Sequence, residues 1–579
     1  MGKIKRLPSG VSNFVQIRRE NMYYVDKTMF LPMMEMAGNF LFLVRPRRFG
    51  KSLFLSMVEK YYDVKAQQEW NELFGGLWIY EHSTEWRHKF QVLKLDFSQI
   101  GGGMDSLSMN VDAYLKSQLV DFVSKYKDDY EEGFLDEIKN TATASLCIVK
   151  IANEARERDH HLYLIIDEYD NFTNTVLTKY GNEMYRTLTH GEGFYRDIFK
   201  NFKGNFDRIL MMGVSPITLD DLTSGFNIAT NITADFRFNQ MLGFSEEDVR
   251  EMMDYYEETG TLQGNVNEMM EEMKPWYDNY CFSKESFRRG ESKVFNGYMV
   301  LHYLNARMNT GLSPEKMLVP NTLIDYDKLE HLIKLEQQTN GLSRRGTIQQ
   351  IIDDGFIYSE LVDYFPAENI VKDENFVSLL YYYGMLTITG VRGTKVKLSI
   401  PNNNVRKQYY DYIRQHYVQV GALNTSVLSN AYDAAAFDGE WKPLLQYIAD
   451  SYDKLSSIRN SIQGERNIQG LFMAFFALSN LYLMLPELEM AHGYGDIFLM
   501  PDKKRYPEIM HSYIIELKYL KADDTEATVK GQQDEATLQL RRYAQDEKVR
   551  FMAQETHLHL IVMQFRQSVL VKMEEILKI

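Results

Sequence analysis

Cysteine is almost missing: 579 residues hold two, Cys147 and Cys281, far apart and in no metal-binding spacing. That excludes a disulfide framework and suits a reducing compartment, so a cytoplasmic protein is expected. Long apolar runs are lacking too. The longest, residues 471–485, is interrupted by Ser479 and Asn480; it is too short to span a bilayer comfortably and reads as a buried helix. The opening MGKIKRLPSGVSNFVQIRREN has no apolar core of a signal peptide, and no membrane partner is expected. Positive charge is not in excess: the formal net charge is -15. Bulk attraction to nucleic acid is thereby excluded, and any such contact must come from local basic patches. No repeat or low-complexity segment is evident.

What is present has the composition of a globular protein, 45% hydrophobic, with length for roughly three or four domains. Residues 45–52, RPRRFGKS, follow the apolar run FLFLV and precede LFLSMV, which looks like a helix opening. Strand, tight loop, helix is the order a phosphate-cradling loop requires. Backbone N–H groups of Arg48, Phe49 and Gly50 would face a nucleotide, Lys51 would reach its terminal phosphates, and the Ser52 hydroxyl would bind Mg²⁺. Arg45 stands where the generic loop has its first glycine, so GKS alone suits a surface turn equally well.

The second element shifts that balance. LYLIIDEYD, residues 162–170, is an apolar run of the kind buried on both faces of a parallel sheet, ending in carboxylates. Asp167 would hold the Mg²⁺ shell, and Glu168 would orient or deprotonate an attacking water; the bland alternative is an acidic start to the next helix. A third strand, RILMMGVSP, ends at Ser215, which either senses the γ-phosphate or begins a turn. QVLKLDF places Asp96 where open α/β sheets keep ligand residues. Asp26 and Lys27 of YYVDKT suit a helix cap better than a nucleotide contact. Strands alternating with helices predict a parallel sheet with helices on both faces over residues 1–250.

Residues 251–424 turn helical and tyrosine-rich, with Met253, Tyr255, Tyr256, Met269, Met270 and Met273 expected in a core. Residues 379–388 read as a helix leading into a hairpin near 396–401, a winged-helix-like piece that either contacts DNA or joins domains. From 425 to 579 the chemistry changes. GYGDIFLM and SYIIELK read as strands, and alternation puts Glu516 and Lys518 on one face, with Asp496 near them if the strands pair. Two carboxylates sharing a Mg²⁺ beside a lysine that steadies water make a phosphodiester hydrolysis site. A bare ExK more often decorates a solvated strand; here it lies inside an apolar one.

Together these residues resemble bacterial proteins that pair an AAA-like P-loop ATPase domain with a C-terminal PD-(D/E)XK nuclease domain. The likeness rests on YYVDKT, RPRRFGKS, LIIDEYD, GFSEEDV, WYDNY, SLLYYYGMLTI, IPNNNV, GYGDI and IIELK, in the family's order. Departures are Asn279 for a usual glycine, Gly297-Tyr298 for Pro-Trp, and Gly495 before the catalytic aspartate. The resemblance implies a restriction-endonuclease-like α/β C-terminal domain, ATP at Gly50, Lys51, Ser52, Asp167 and Glu168, and a metal-dependent site at Asp496, Glu516 and Lys518. It adds a helical Glu, matched by Glu465, and a helical Gln, matched by Gln539. The expected function is an ATP- and Mg²⁺-dependent nuclease acting on nucleic acid, with DNA favoured. The second reading keeps the nucleotide switch but has the C-terminal domain bind nucleic acid or a partner without cleaving. A homo-oligomer would let Arg47, Arg48 or Arg237 act across a subunit boundary; surface ion pairs explain them as well.

Overall fold

The computed structural model describes residues 4–101, 106–171, 194–217, 229–291, 293–314, 347–366, 372–409, 425–458, 465–476, 481–490, 493–503, 505–553 and 555–576, with the single positions 176, 185, 317, 369, 370 and 479. Two compact units result, Met1–Leu342 with Phe356–Asn403, and Ser343–Gly355 with Asn404–Ile579.

In the first unit, β1 (Phe40–Val44), β2 (Phe90–Asp96), β3 (His161–Asp167), β4 (Arg208–Gly213) and β5 (Thr230–Asn231) pair in parallel in the order β2-β3-β4-β1-β5. Parallel neighbours need crossovers. Helix α1 (Lys51–Tyr62) links β1 to β2, α2 (Leu107–Lys125) and α3 (Ala144–Glu157) lie between β2 and β3, and α4 (Phe194–Asn205) precedes β4. In α3, Cys147, Ile148, Ile151, Ala152 and Ala155 are buried at helical spacing, and Thr143 caps its start by accepting from Leu146 N–H. Helices on the sheet explain why FLFLV, LYLII and ILMMG are apolar without alternation. The order sets the carboxyl ends of β1 and β3 on either side of β4, about 10 Å apart, where such sheets take ligands.

Helices α5 (Glu246–Glu258), α6 (Val266–Tyr277), α7 (Lys284–Arg289) and α8 (Gly297–Thr310) follow in the same unit. Met253, Tyr256, Met269, Met270 and Met273 are buried in one core, with Tyr255 packed partly against it. Strand β6 (Phe356–Ser359), helix α9 (Asp373–Tyr382), β7 (Thr387–Arg392) and β8 (Lys395–Ser399) make a small antiparallel sheet in the order β6-β8-β7 behind a helix. The expected helix and hairpin are there, but the helix stops at Tyr382 because Gly384, at φ +76°, turns the chain.

The second unit contains α10 (Lys442–Ile458), α11 (Glu465–Phe476), β9 (Tyr482–Met490), β10 (Gly493–Pro501), β11 (His511–Leu520), α12 (Glu526–Tyr543), β12 (His557–Arg566) and β13 (Val569–Glu575). Its mixed sheet has the order β13-β12-β11-β10-β9, with β11 and β12 parallel and the other pairs antiparallel. Alternation builds two cores. Ile515, Leu517, Ile561 and Met563 pack with α10 and α11 residues, whereas Phe498, Ile514, Leu560 and Val562 pack with Ala536, Leu540 and Tyr543 of α12. One expectation is corrected: the apolar run 471–485 is not a single buried helix. Its first part ends α11 at Phe476, and its last part is β9, paired with β10. The polar Ser479 lies between the two. Among the described residues no helix is long and apolar enough to cross a membrane.

Candidate functional site

The loop after β1 is held from its own inside. Arg45 is fully buried: Nη1 donates to the Val44 and Thr233 carbonyls at 2.9 and 2.8 Å, Nη2 donates to the Phe238 carbonyl at 3.0 Å, and the guanidinium lies 4.3 Å from the Phe282 ring centre. Burial pulls its pKa down to about 10. Arg45 is therefore a strut, which explains how a bulky residue replaces glycine. Phe49 turns the same way, edge-on to Tyr280 and Phe282 at 4.9 and 5.4 Å. Only its backbone is left to face a nucleotide. Gly384 meets the loop from α9: a Cβ there would stand 2.7 Å from Pro46 Cγ.

Gly50 has φ +93°, a left-handed value that favours glycine, and it caps α1. Two non-glycine residues share that region, Arg48 at φ 68° and Glu168 at φ 50°, a strain that concentrates at functional sites. Lys51 Nζ donates to the Arg45 and Pro46 carbonyls, both at 3.0 Å. Burial lowers its pKa to about 8, against the pull of Asp167, Glu168 and Asp170. Asp167, 4% exposed, accepts a hydrogen bond from the Ser52 side chain, and burial raises its pKa despite Ser52 and Lys51. Burial likewise raises Glu168, with Arg47 and Lys51 opposing. Lys51, Ser52, Asp167 and Glu168 are thus brought together across β4. Asp96 pairs in register with Asp167 and is turned to its own loop, accepting from Ser98 N–H at 3.0 Å.

Ser215 is wholly buried; its N–H donates to Asp170 at 2.7 Å, its carbonyl accepts from Tyr169, and its Oγ accepts from Ile217 N–H at 3.3 Å. Those bonds are the turn-forming side of its two readings. The expected helix cap at Asp26 is not what forms: the helix that follows, Phe30–Ala37, starts from Met29 with no side-chain cap. Asp26 instead ties two loops, Oδ1 accepting from Thr28 N–H at 2.9 Å and Oδ2 from Trp78 N–H at 2.6 Å, while Lys27 pairs with Asp248 at 2.6 Å. Arg48 lies 4.9 Å from the Tyr298 ring centre, and Arg237 pairs with Asp235 at 2.5 Å.

Three features escaped the sequence. An apolar pocket beside the loop is lined by Val11, Tyr24, Val25, Gly50, Leu53 and Phe244, among others; YYVDKT supplies one wall, its only sequence signal. Asp170, the last acid of DEYD, is a clasp, accepting from Val214 and Ser215 N–H groups to join the ends of β3 and β4. WYDNY and YYYGML turn out to floor the loop after β1 through Tyr280 and Gly384.

In the second unit, Glu516 is 2% exposed and accepts from Lys518 Nζ at 2.9 Å. Both stand on the α12 side of β11, since Ile515 and Leu517 fill the opposite core. Antiparallel pairing of Ile497 with Ile515 and Phe498 with Ile514, continued by one residue, sets the Asp496 backbone opposite Glu516. The side chains of Asp496 and Glu465 lie outside the described residues, though both backbones lie in elements, β10 and the first turn of α11. Gln539 sits on α12, one turn before the buried Tyr543, and its buried Oε1 has no hydrogen-bond partner among the described residues. Among the described residues no three His, Cys, Asp or Glu side chains gather as metal ligands.

Hard hydroxyl and carboxylate oxygens are what Mg²⁺ takes. Ser52 beside Asp167, and Glu516 beside a lysine, fit it by donor chemistry.

A family model described as "Predicted AAA-ATPase" matches residues 8–223, and one described as "PD-(D/E)XK nuclease superfamily" matches residues 463–575. An AAA-ATPase-like domain is fused here to a PD-(D/E)XK nuclease domain. The parallel sheet of the AAA-ATPase-like domain is consistent with a P-loop NTPase, and the mixed sheet of the PD-(D/E)XK domain with that superfamily's fold. These domain types imply use of a nucleotide and interaction with nucleic acid. The chain is 27% identical over 295 residues to an uncharacterized protein in the vnfD 5' region of Azotobacter chroococcum mcd 1, a match covering 49% of this chain and 50% of that protein. It spans about half the length of that curated relative. The Aeropyrum pernix ORC2 protein, solved in ADPNP and ADP complexes, is similar at 12% identity and a TM-score of 0.30, covering 68% of this chain and 93% of that one; a likeness so slight bears on nothing further.

Proposed function

We propose that the chain is a nucleotide-controlled nuclease: the AAA-ATPase-like domain, residues 1–250, binds and hydrolyses ATP, and the PD-(D/E)XK domain, residues 425–579, hydrolyses phosphodiester bonds of nucleic acid, DNA above all, with 251–424 linking them. The observation that carries the reading is the buried Glu516 with Lys518 at 2.9 Å on an otherwise apolar strand, because a charged pair in such a place needs a reason other than packing.

At the nucleotide, the loop N–H groups after Arg48 and the start of α1 would hold phosphates, and Lys51 would leave its two carbonyls for the terminal phosphates. Ser52 and Asp167 would hold Mg²⁺, and Glu168 would orient the attacking water. The apolar pocket lined by Tyr24, Val25 and Leu53 has the chemistry to take a base. At the nuclease site Asp496 and Glu516 would hold Mg²⁺ while Lys518 steadies the attacking water, with Glu465 and Gln539 as supporting groups. The metal supplies polarisation of the scissile phosphate.

The test is Asp496→Ala. Purified wild-type protein in Mg²⁺ or Mn²⁺ is expected to cut plasmid or single-stranded DNA and the variant to leave both intact. Identical treatment of DNA by the two proteins ends the nuclease reading and leaves a binding domain under nucleotide control.

A further inference from the structure

The first unit carries a basic, aromatic face that neither site uses. Helix α7 packs against β7 and against the turn Phe236–Phe238. Lys284 Nζ locks helix to hairpin by donating to the Gly393 and Thr394 carbonyls at 2.7 and 3.3 Å. A groove of about 460 Å³ lies between the turn and α7. Along β8 the side chains alternate, Val396 and Leu398 buried, Lys395 exposed and Lys397 partly so. Seven cations line this stretch, Arg237, Lys284, Arg288, Arg289, Arg392, Lys395 and Lys397. Among the described residues the carboxylates they pair with are two, Asp235 and Glu285. In a chain of net charge -15 that is a local reversal of sign.

Aromatic rings are interleaved with the cations. Arg289 lies 4.0 Å from the centre of the Phe236 ring, which is 37% exposed. Lys397 Nζ lies 4.2 Å from the Phe356 ring centre and Arg392 5.9 Å from that of Tyr358, which is 39% exposed. Rings set among cations are the combination that single-strand binding surfaces use, the cations tracking phosphates and the rings stacking on bases.

We infer that this face, from Phe236 and α7 across β7, β8 and β6, binds single-stranded nucleic acid, the cations taking phosphates and Phe236 and Tyr358 taking base faces. A single strand offers both features at once, whereas a duplex keeps its base faces stacked inside and an acidic peptide has none. The acidic remainder of the chain repels a polyanion, so the strand is confined to the patch. This rests on the proposed function only for the identity of the substrate.

Binding is measured by fluorescence anisotropy of a labelled single-stranded oligonucleotide of about 20 nucleotides, using the full chain with Ca²⁺ replacing Mg²⁺, over a range of salt. Replacing Lys395 and Lys397 by Gln is expected to weaken binding and to flatten the slope of log K against log salt by about 0.7 for each phosphate no longer neutralised. Tyr358→Ala is expected to weaken binding about fivefold or more with the salt slope unchanged. Arg288→Gln, on an exposed side chain, gives a second charge variant should the first misfold. Unchanged affinity and slope in the charge variants would overturn the inference. So would a loss confined to duplex DNA, or displacement of the oligonucleotide by polyglutamate as readily as by unlabelled strand. If Asp496→Ala fails to abolish cleavage, the proposed function falls while this binding result stands, so the two failures are separable.

Discussion

Lys51 and Lys518, both proposed to meet phosphate chemistry, are held in opposite ways. Lys51 rests on two backbone carbonyls and is pulled down by burial to about 8; Lys518 rests on the carboxylate of Glu516. The first charge feels Asp167, Glu168 and Asp170 only at a distance and touches neutral dipoles, which leaves it open to an incoming anion. The second is already paired with a carboxylate, and in the proposed site that carboxylate would be shared with Mg²⁺. In the proposed function one lysine would recruit an anion and the other would share a carboxylate.

The comparison breaks most visibly at the nuclease pair. Lys518→Ala is expected to lower cleavage on the order of 10²–10³-fold. It also takes the ammonium away from a buried carboxylate, costing about 3 kcal/mol. Because Mg²⁺ would then supply the missing positive charge, urea denaturation with and without Mg²⁺ should show part of that loss restored; a variant indifferent to Mg²⁺ contradicts the sharing role. Next comes Lys51→Ala. ATP affinity should fall on the order of 10²-fold by titration calorimetry, while stability falls by only about 1 kcal/mol for each carbonyl left without its donor. A large stability loss with unaltered ATP binding reverses the contrast.

Gly384→Ala sharpens it from a distance. The added Cβ meets Pro46 and adopts a strained φ, so unfolding free energy should drop by about 1–3 kcal/mol and ATP affinity should drop with it, cleavage by the nuclease site in the absence of nucleotide being unaffected. Smallest is the pH effect. Free Lys51 is charged below about 8, and nucleotide phosphate favours the charged form. Protons are therefore taken up on binding above that pH, and ATP affinity should decline as pH rises past 8, by at most about tenfold per unit. Lys51→Ala should abolish this dependence; a wild-type affinity that rises with pH refutes the assignment.

How far the sequence announced this arrangement follows from the range of the signals. Strands buried on both faces, the GKS turn and the same-face pair Glu516 and Lys518 are local patterns, and β1, β3, β10 and β11 lie close to where alternation and apolar runs place them. The misread helix at 471–485 shows the limit: apolar composition does not choose between periods when a single polar break is all that separates helix from strand. Arg45, Phe49 and Asp170 were legible as motif letters but not as struts and clasps, because their partners Phe282, Tyr280 and Ser215 lie tens to hundreds of residues away. Asp496 was legible as a register partner of Glu516 and no further.

Arg45 and Phe282 also bear on how the chain is cut for study. The guanidinium packs on a ring that is synthesised more than two hundred residues later, so the loop's support depends on chain well beyond the first 250 residues. A fragment ending at residue 250 would strip the aromatic bed from under the loop and hand water a cation that the intact chain keeps dry. Weak nucleotide binding by such a fragment would report on the truncation rather than on the intact chain.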